Sequence, residues 1–218
     1  MPIADRYATT PLASALASSP RLLLRQGREL VELFTSLESP NRYAIHAEDG
    51  ALTGLAEERR GEVGAFFARW FLQSRRPFTM DVSDATARSG PSLVLRRPWT
   101  WWLSRIEVED GEGRPVGTVR QRFTLLRRRL DLEAPGGRVL ARVVGPLLRP
   151  WTFLVEAGPD GAGREVGRIE KRWSGLLREG FTDEDTFLVT LPPGDAPLRR
   201  LVLAAAILVD FNWFEQRR

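Results

Sequence analysis

One stretch limits what this chain can become: "LVLAAAILVDFNWF", Leu201 to Phe214. Nine consecutive residues, Leu201 to Val209, carry no charge. A bilayer-spanning helix needs about 20 apolar residues, and here Arg199 and Arg200 on one side and Asp210 on the other cut the run short. A helix apolar on every face in a soluble protein has to be covered on every face. The rest of the chain reads as β-hairpins, so the cover it implies is a closed sheet with the helix inside. Leu201, Ala205, Leu208, Phe211 and Phe214 are the expected buried positions.

The hairpin reading rests on a repeat. "DGEGRPVGTVRQRF" (Asp110 to Phe123) returns fifty residues later as "DGAGREVGRIEKRW" (Asp160 to Trp173). Each begins with an Asp-Gly turn and runs into a strand. Alternation predicts a strand before each turn, with Trp102, Ile106 and Val108 on one face of the first and Trp151, Phe153 and Val155 on one face of the second. "EDG" (Glu48 to Gly50) and "APGG" (Ala134 to Gly137) mark further turns. The Gly-x-Gly pattern within the repeat is no phosphate cradle, because strands follow the glycines where that cradle needs a helix N-terminus.

Two segments lie outside the β pattern. In "GEVGAFFARWFLQ" (Gly61 to Gln73), Val63, Phe66, Phe67, Trp70 and Phe71 fall on one helical face. Arg69, Arg75 and Arg76 flank those rings, a combination that suits either an interfacial helix on anionic lipid or a core-closing helix. Residues 1–20, rich in Ala, Ser, Thr and Pro, read as a loose tail, leaving 21–216 as the barrel domain. No apolar core marks a signal peptide, so a cytoplasmic location is expected.

Composition removes several chemistries. The chain has 218 residues, one histidine and no cysteine. Disulfides, Cys-ligated zinc and thiol nucleophiles are excluded, and a triad or multi-His metal site would rest on His46 alone. No catalytic constellation emerges. Net charge is +4, and Lys171 is the single lysine among 32 basic residues. The arginines are scattered through every segment, so this mild excess does not choose between nucleic acid and anionic lipid. "RRPWTWW" (Arg96 to Trp102) sets arginines beside aromatics that could stack on bases. Strand alternation instead points Trp99 and Trp101 one way and Trp102 to the core, which argues against nucleic acid as a partner.

The chain resembles the phospholipid scramblase family, whose fold is shared with the tubby C-terminal domain and the LURP-one-related proteins. "NRY" (Asn41 to Tyr43) with the turn at Asp49 and Gly50, "RPFTMDVSD" (Arg76 to Asp84), "LRRPW" (Leu95 to Trp99) and "IEVEDGEGRPVGTVRQRF" carry part of the likeness. "GRIEKRWSGLLREGFTDEDTFLVTLP" (Gly167 to Pro192) and "LVDFNWFE" (Leu208 to Glu215) carry the rest. The resemblance implies a closed antiparallel β-barrel of about twelve strands around the C-terminal helix, and a role in moving phospholipids between bilayer leaflets. A cytosolic interaction or regulatory domain of the same fold, with protein partners, is the alternative it leaves open. The family's palmitoylated cysteine cluster has no counterpart here, so attachment to an anionic phospholipid surface, such as the plasma membrane, is expected to be peripheral.

The resemblance also places the family's proposed calcium segment on "DEDTFLVTLPPGD" (Asp183 to Asp195). An EF-hand loop needs oxygen ligands at positions 1, 3, 5 and 12. Asp183 and Asp185 fill the first two, but Phe187 and Gly194 occupy the others. Phe187, Val189 and Leu191 alternate as in a strand. Calcium held by Asp183, Asp185 and Asp195 is therefore expected to be weak.

Overall fold

In the computed structural model, residues 10–26, 42–59, 77–86, 90–125, 127–146, 148–158, 163–172 and 185–214 are described. A short helix, α1 (Pro11–Ser18), precedes twelve strands, and α2 (Ala196–Trp213) closes the chain. The strands are β1 (Arg21–Gln26), β2 (Arg42–Ala47), β3 (Leu52–Glu58), β4 (Phe78–Asp84), β5 (Leu93–Arg97) and β6 (Arg105–Asp110). They continue as β7 (Pro115–Arg122), β8 (Arg128–Glu133), β9 (Val139–Gly145), β10 (Thr152–Ala157), β11 (Glu165–Arg172) and β12 (Asp185–Thr190). Each pairs antiparallel with its sequence neighbour, and β1 pairs with β12, so the barrel closes. Closure leaves no exposed strand edge.

Alternation sorts the side chains. Leu22 and Leu24, Met80 and Val82, Ile106 and Val108, Leu130 and Leu132, and Phe187 and Val189 point inward and are buried. Every residue from Leu201 to Phe211 is at most 1% exposed, on all faces of α2, so the helix runs through the barrel interior. Its large side chains (Leu201, Val202, Leu203, Ile207, Leu208, Val209 and Phe211) represent roughly 10–20 kcal/mol of gross hydrophobic burial. Ala204, Ala205 and Ala206 narrow the helix where strands approach it. Among the described residues no helix is long and apolar enough to cross a membrane.

The fifty-residue repeat is a repeated hairpin. β6–β7 and β10–β11 both contain a bulge, between Val108 and Glu109 and between Val155 and Glu156. The equivalent glycines, Gly117 and Gly167, lie opposite these irregularities. A Cβ on Gly117 would stand 2.3 Å from the Glu133 carbonyl oxygen, and one on Gly167 2.6 Å from that of Thr190. Only glycine permits these backbone approaches.

Residues 11–18 correct the reading of a loose tail. Thr10 caps α1 by accepting a bond from the Ala13 N–H, and Pro11 opens the helix. Leu12, Ala15 and Leu16 share one face and are buried against the core. Asp84, at the end of β4, accepts the Leu12 N–H at 2.9 Å. The buried guanidinium of Arg199 donates to the carbonyls of Leu16, Ser19 and Pro192. A cation at the C-terminal end of α1 also complements the helix dipole. The helix thus plugs the end of the barrel where α2 begins.

Candidate functional site: the end of the barrel where the central helix emerges

Strict up-and-down order sends alternate connections to opposite ends. The β5–β6, β7–β8 and β9–β10 loops therefore lie side by side at one end, the same end at which α2 finishes. Contacts at the helix terminus agree. Asn212 Oδ1 accepts from Ser104 Oγ at 2.9 Å and from Arg97 Nη2 at 3.2 Å, while its Nδ2 donates to Gln121 Oε1. The Ser104 N–H donates to the same Gln121 oxygen, and Trp213 stacks on Phe153 at 5.2 Å between ring centroids. Lys171 Nζ lies 4.4 Å from the Phe214 ring centroid. This polar and aromatic floor fixes the bases of the loops.

The loop tips are different. Trp99, Trp101 and Trp102 between β5 and β6, Phe123 and Leu125 between β7 and β8, and Leu148 and Trp151 around the β9–β10 turn are all exposed. They are the only exposed large hydrophobic residues among those described. Trp102 is 84% exposed, which corrects its expected place on the core face with Ile106 and Val108. β5 ends at Arg97 and β6 begins at Arg105, so strand alternation does not reach the tryptophans. Trp151, just ahead of β10, likewise fails to join Phe153 and Val155 inside. Isolated apolar residues on a surface are ordinary, whereas seven on three adjacent loops form a patch of the kind that marks an interaction site.

Below these loops the outer wall of β7–β9 is rich in arginine. Asp131 and Glu133 are nearly buried beneath Arg120, Arg122, Arg129 and Arg142. Four guanidinium groups over two carboxylates leave this wall net positive. The groove above it is lined by Leu125, Arg127, Arg129, Arg142 and Glu156 among others.

Of the residues expected to act, Leu201, Ala205, Leu208, Phe211 and Phe214 lie where they were placed, in the core. The aromatic segment with Phe66, Phe67, Arg69, Trp70, Phe71, Arg75 and Arg76 falls outside the described residues, as does Asp183. Asp185 and Asp195 do not converge. Asp185 starts β12 opposite Gln26, whereas Asp195 follows β12 and caps α2 through the Leu198 N–H. About 17 Å of strand separates them, too far to share one ion. No group of carboxylates or histidines suited to a metal occurs among the described residues. His46 is a strand residue whose Nδ1 meets the Gly50 carbonyl in the adjoining turn.

Residues 2–216 match the model of the Scramblase family. The chain belongs to this family. It is 30% identical over 214 residues to phospholipid scramblase 1 of Mus musculus, covering 92% of this chain and 63% of that protein. It is also 30% identical over 217 residues to phospholipid scramblase 2 of Homo sapiens, covering 93% and 70%. A Saccharomyces cerevisiae protein, altered inheritance rate of mitochondria protein 25, is 25% identical over 243 residues, covering 94% and 74%. The chain thus spans roughly two thirds of the length of these scramblases. No solved structure matches it significantly.

Proposed function

We propose that this scramblase-family chain is a peripheral phospholipid-binding protein that acts on the distribution of phospholipids between leaflets, working from the cytoplasmic side on an anionic bilayer surface. The match to the Scramblase family over residues 2–216 carries this reading. Enclosure of α2 supports the peripheral part: a helix covered on all sides by its own barrel is not free to span a bilayer. Attachment then depends on surface contacts, apolar side chains entering the interface and arginines meeting lipid phosphates. The segment at 61–73, with Phe66, Phe67, Trp70 and Phe71 beside Arg69, Arg75 and Arg76, is proposed as one such contact.

Flotation with vesicles of phosphatidylcholine, with and without phosphatidylserine, tests the binding. Dithionite quenching of a labelled lipid in reconstituted vesicles tests the movement. The reading requires flotation with the anionic vesicles, weakened by salt, and faster loss of inner-leaflet label. Flotation without faster loss would leave a lipid-binding module that does not scramble. Absence of flotation would favour the cytosolic interaction domain instead.

A further inference from the structure

We infer that the bilayer is met by the loop end of the barrel described above, with Trp101, Trp102, Phe123, Leu125 and Leu148 entering the interfacial layer. The inference rests on the lipid-binding reading and adds which surface performs it. Three observations carry it. The side chains are fully presented: Trp101 is 70% exposed, Leu125 88% and Leu148 95%. They project from three separate tips, a form that a fluid hydrocarbon layer accommodates and a rigid protein surface would have to match pocket by pocket. Tryptophan is also the side chain most suited to the boundary between acyl chains and headgroups.

The second observation is charge. Residues 98–104, 123–127 and 146–151 contain no Asp or Glu. Arg127 and Arg149 are exposed among them, and neither engages a carboxylate among the described residues. Three apolar tips that carry cations and no carboxylate of their own are complementary to an anionic bilayer, where each exposed arginine meets lipid phosphate. The arginine-rich wall under Leu125 extends that positive zone down the barrel.

The third is the floor. Ser104, Gln121, Asn212 and Arg97 bind the loop bases to the end of α2. Loops held at the base lose less freedom on docking than free loops would. The apolar tips are therefore presented by a rigid frame and are not an unfolded fringe.

The test uses the full chain and vesicles of phosphatidylcholine with phosphatidylserine. Two variants are compared with wild type: Trp101→Ser with Trp102→Ser, and Leu125→Ser with Leu148→Ser. Each should float at least about tenfold more weakly, with its melting temperature kept because the replaced side chains face solvent. Wild type that floats alongside variants that float equally well would overturn this inference and leave the lipid-binding reading standing. Wild type that does not float would overturn both. Sedimentation of the same samples covers the remaining occupant: a wild-type dimer abolished in both variants, with flotation unchanged, would assign the loops to a second copy of this chain.

Discussion

At one end of the barrel the described loops carry Trp101, Trp102, Phe123 and Leu148 in solvent and no carboxylate, with Arg127 and Arg149 among them. At the other end the turns carry Glu48, Asp49, Glu112 and Asp195, and among the described residues no large apolar side chain there is exposed. The acidic turns pair internally, Arg21 with Glu48 and Arg114 with Asp110. That end is also shut, by α1 and the buried Arg199. The same twelve strands feed both ends, so the contrast is not a consequence of the fold. Turn chemistry needs Asp-Gly and Asx bonds, as where Asp110 Oδ1 accepts the N–H groups of Glu112 and Arg114. Exposed tryptophans meet no such need, and their concentration at one end calls for a partner.

The contrast can be broken from the middle. Ala205 lies fully buried on α2 between the two ends. Ala205→Trp should overpack the interior and cost several kcal/mol, about 3 or more, or abolish folding. Soluble expression with an unchanged melting curve would mean that α2 is not enclosed, and the ends would lose their common axis.

The closed end comes next. Arg199→Met should destabilise by about 3 kcal/mol, because three carbonyls, two of them buried, lose their donor. Limited proteolysis should then cut near Ser18 and Ser19. A smaller effect belongs to Asp84. Burial pushes its carboxyl up, but bonds from the Leu12 and Thr86 N–H groups and the Thr86 and Thr10 hydroxyls outweigh this and hold it below the usual carboxylate range. A carboxylate with a depressed value in the folded state contributes stability above its unfolded value, near 3.9, and loses it as pH falls through the folded one. Asp84→Asn should therefore cost about 1–2 kcal/mol at neutral pH, and the gap from wild type should close in acid. A pH-independent gap in denaturant titrations would remove the charge from the account of α1.

How much of this was legible follows the physics of each segment. Leu201 to Val209 could be read because a charge-free run of that length has only two destinations, and Arg199 and Asp210 forbid one of them. The hairpins were legible because Asp-Gly turns and alternation are local. Helix α1 has only short signals: Thr10 and Pro11 form a cap and first turn, and Leu12, Ala15 and Leu16 fall at helical spacing. Its eight residues are too short to persuade without the barrel end that covers them. Alternation puts Trp102 and Trp151 inward only when it is carried past the true strand ends. A strand pattern holds only while the ladder does, and the loop end of the barrel was hidden for that reason. Closure, which gathers three distant loops onto one rim, is a long-range property that no window of sequence contains.

The smallest expected effect concerns calcium. With Asp185 and Asp195 at opposite ends of β12, calorimetry should find no site tighter than about 100 µM. A micromolar isotherm removed by Asp183→Asn with Asp185→Asn would contradict this and locate a site at the loop end.

The difference between the two ends is tested most directly by hydrogen–deuterium exchange of the full chain with and without phosphatidylserine vesicles. Protection on vesicle binding is expected in residues 98–104, 123–127 and 146–151, and none in 48–51, 111–114 and 134–138. Protection confined to the turns of the closed end, or bound vesicles with no change in the three apolar loops, would contradict the assignment of the membrane to the end where α2 emerges.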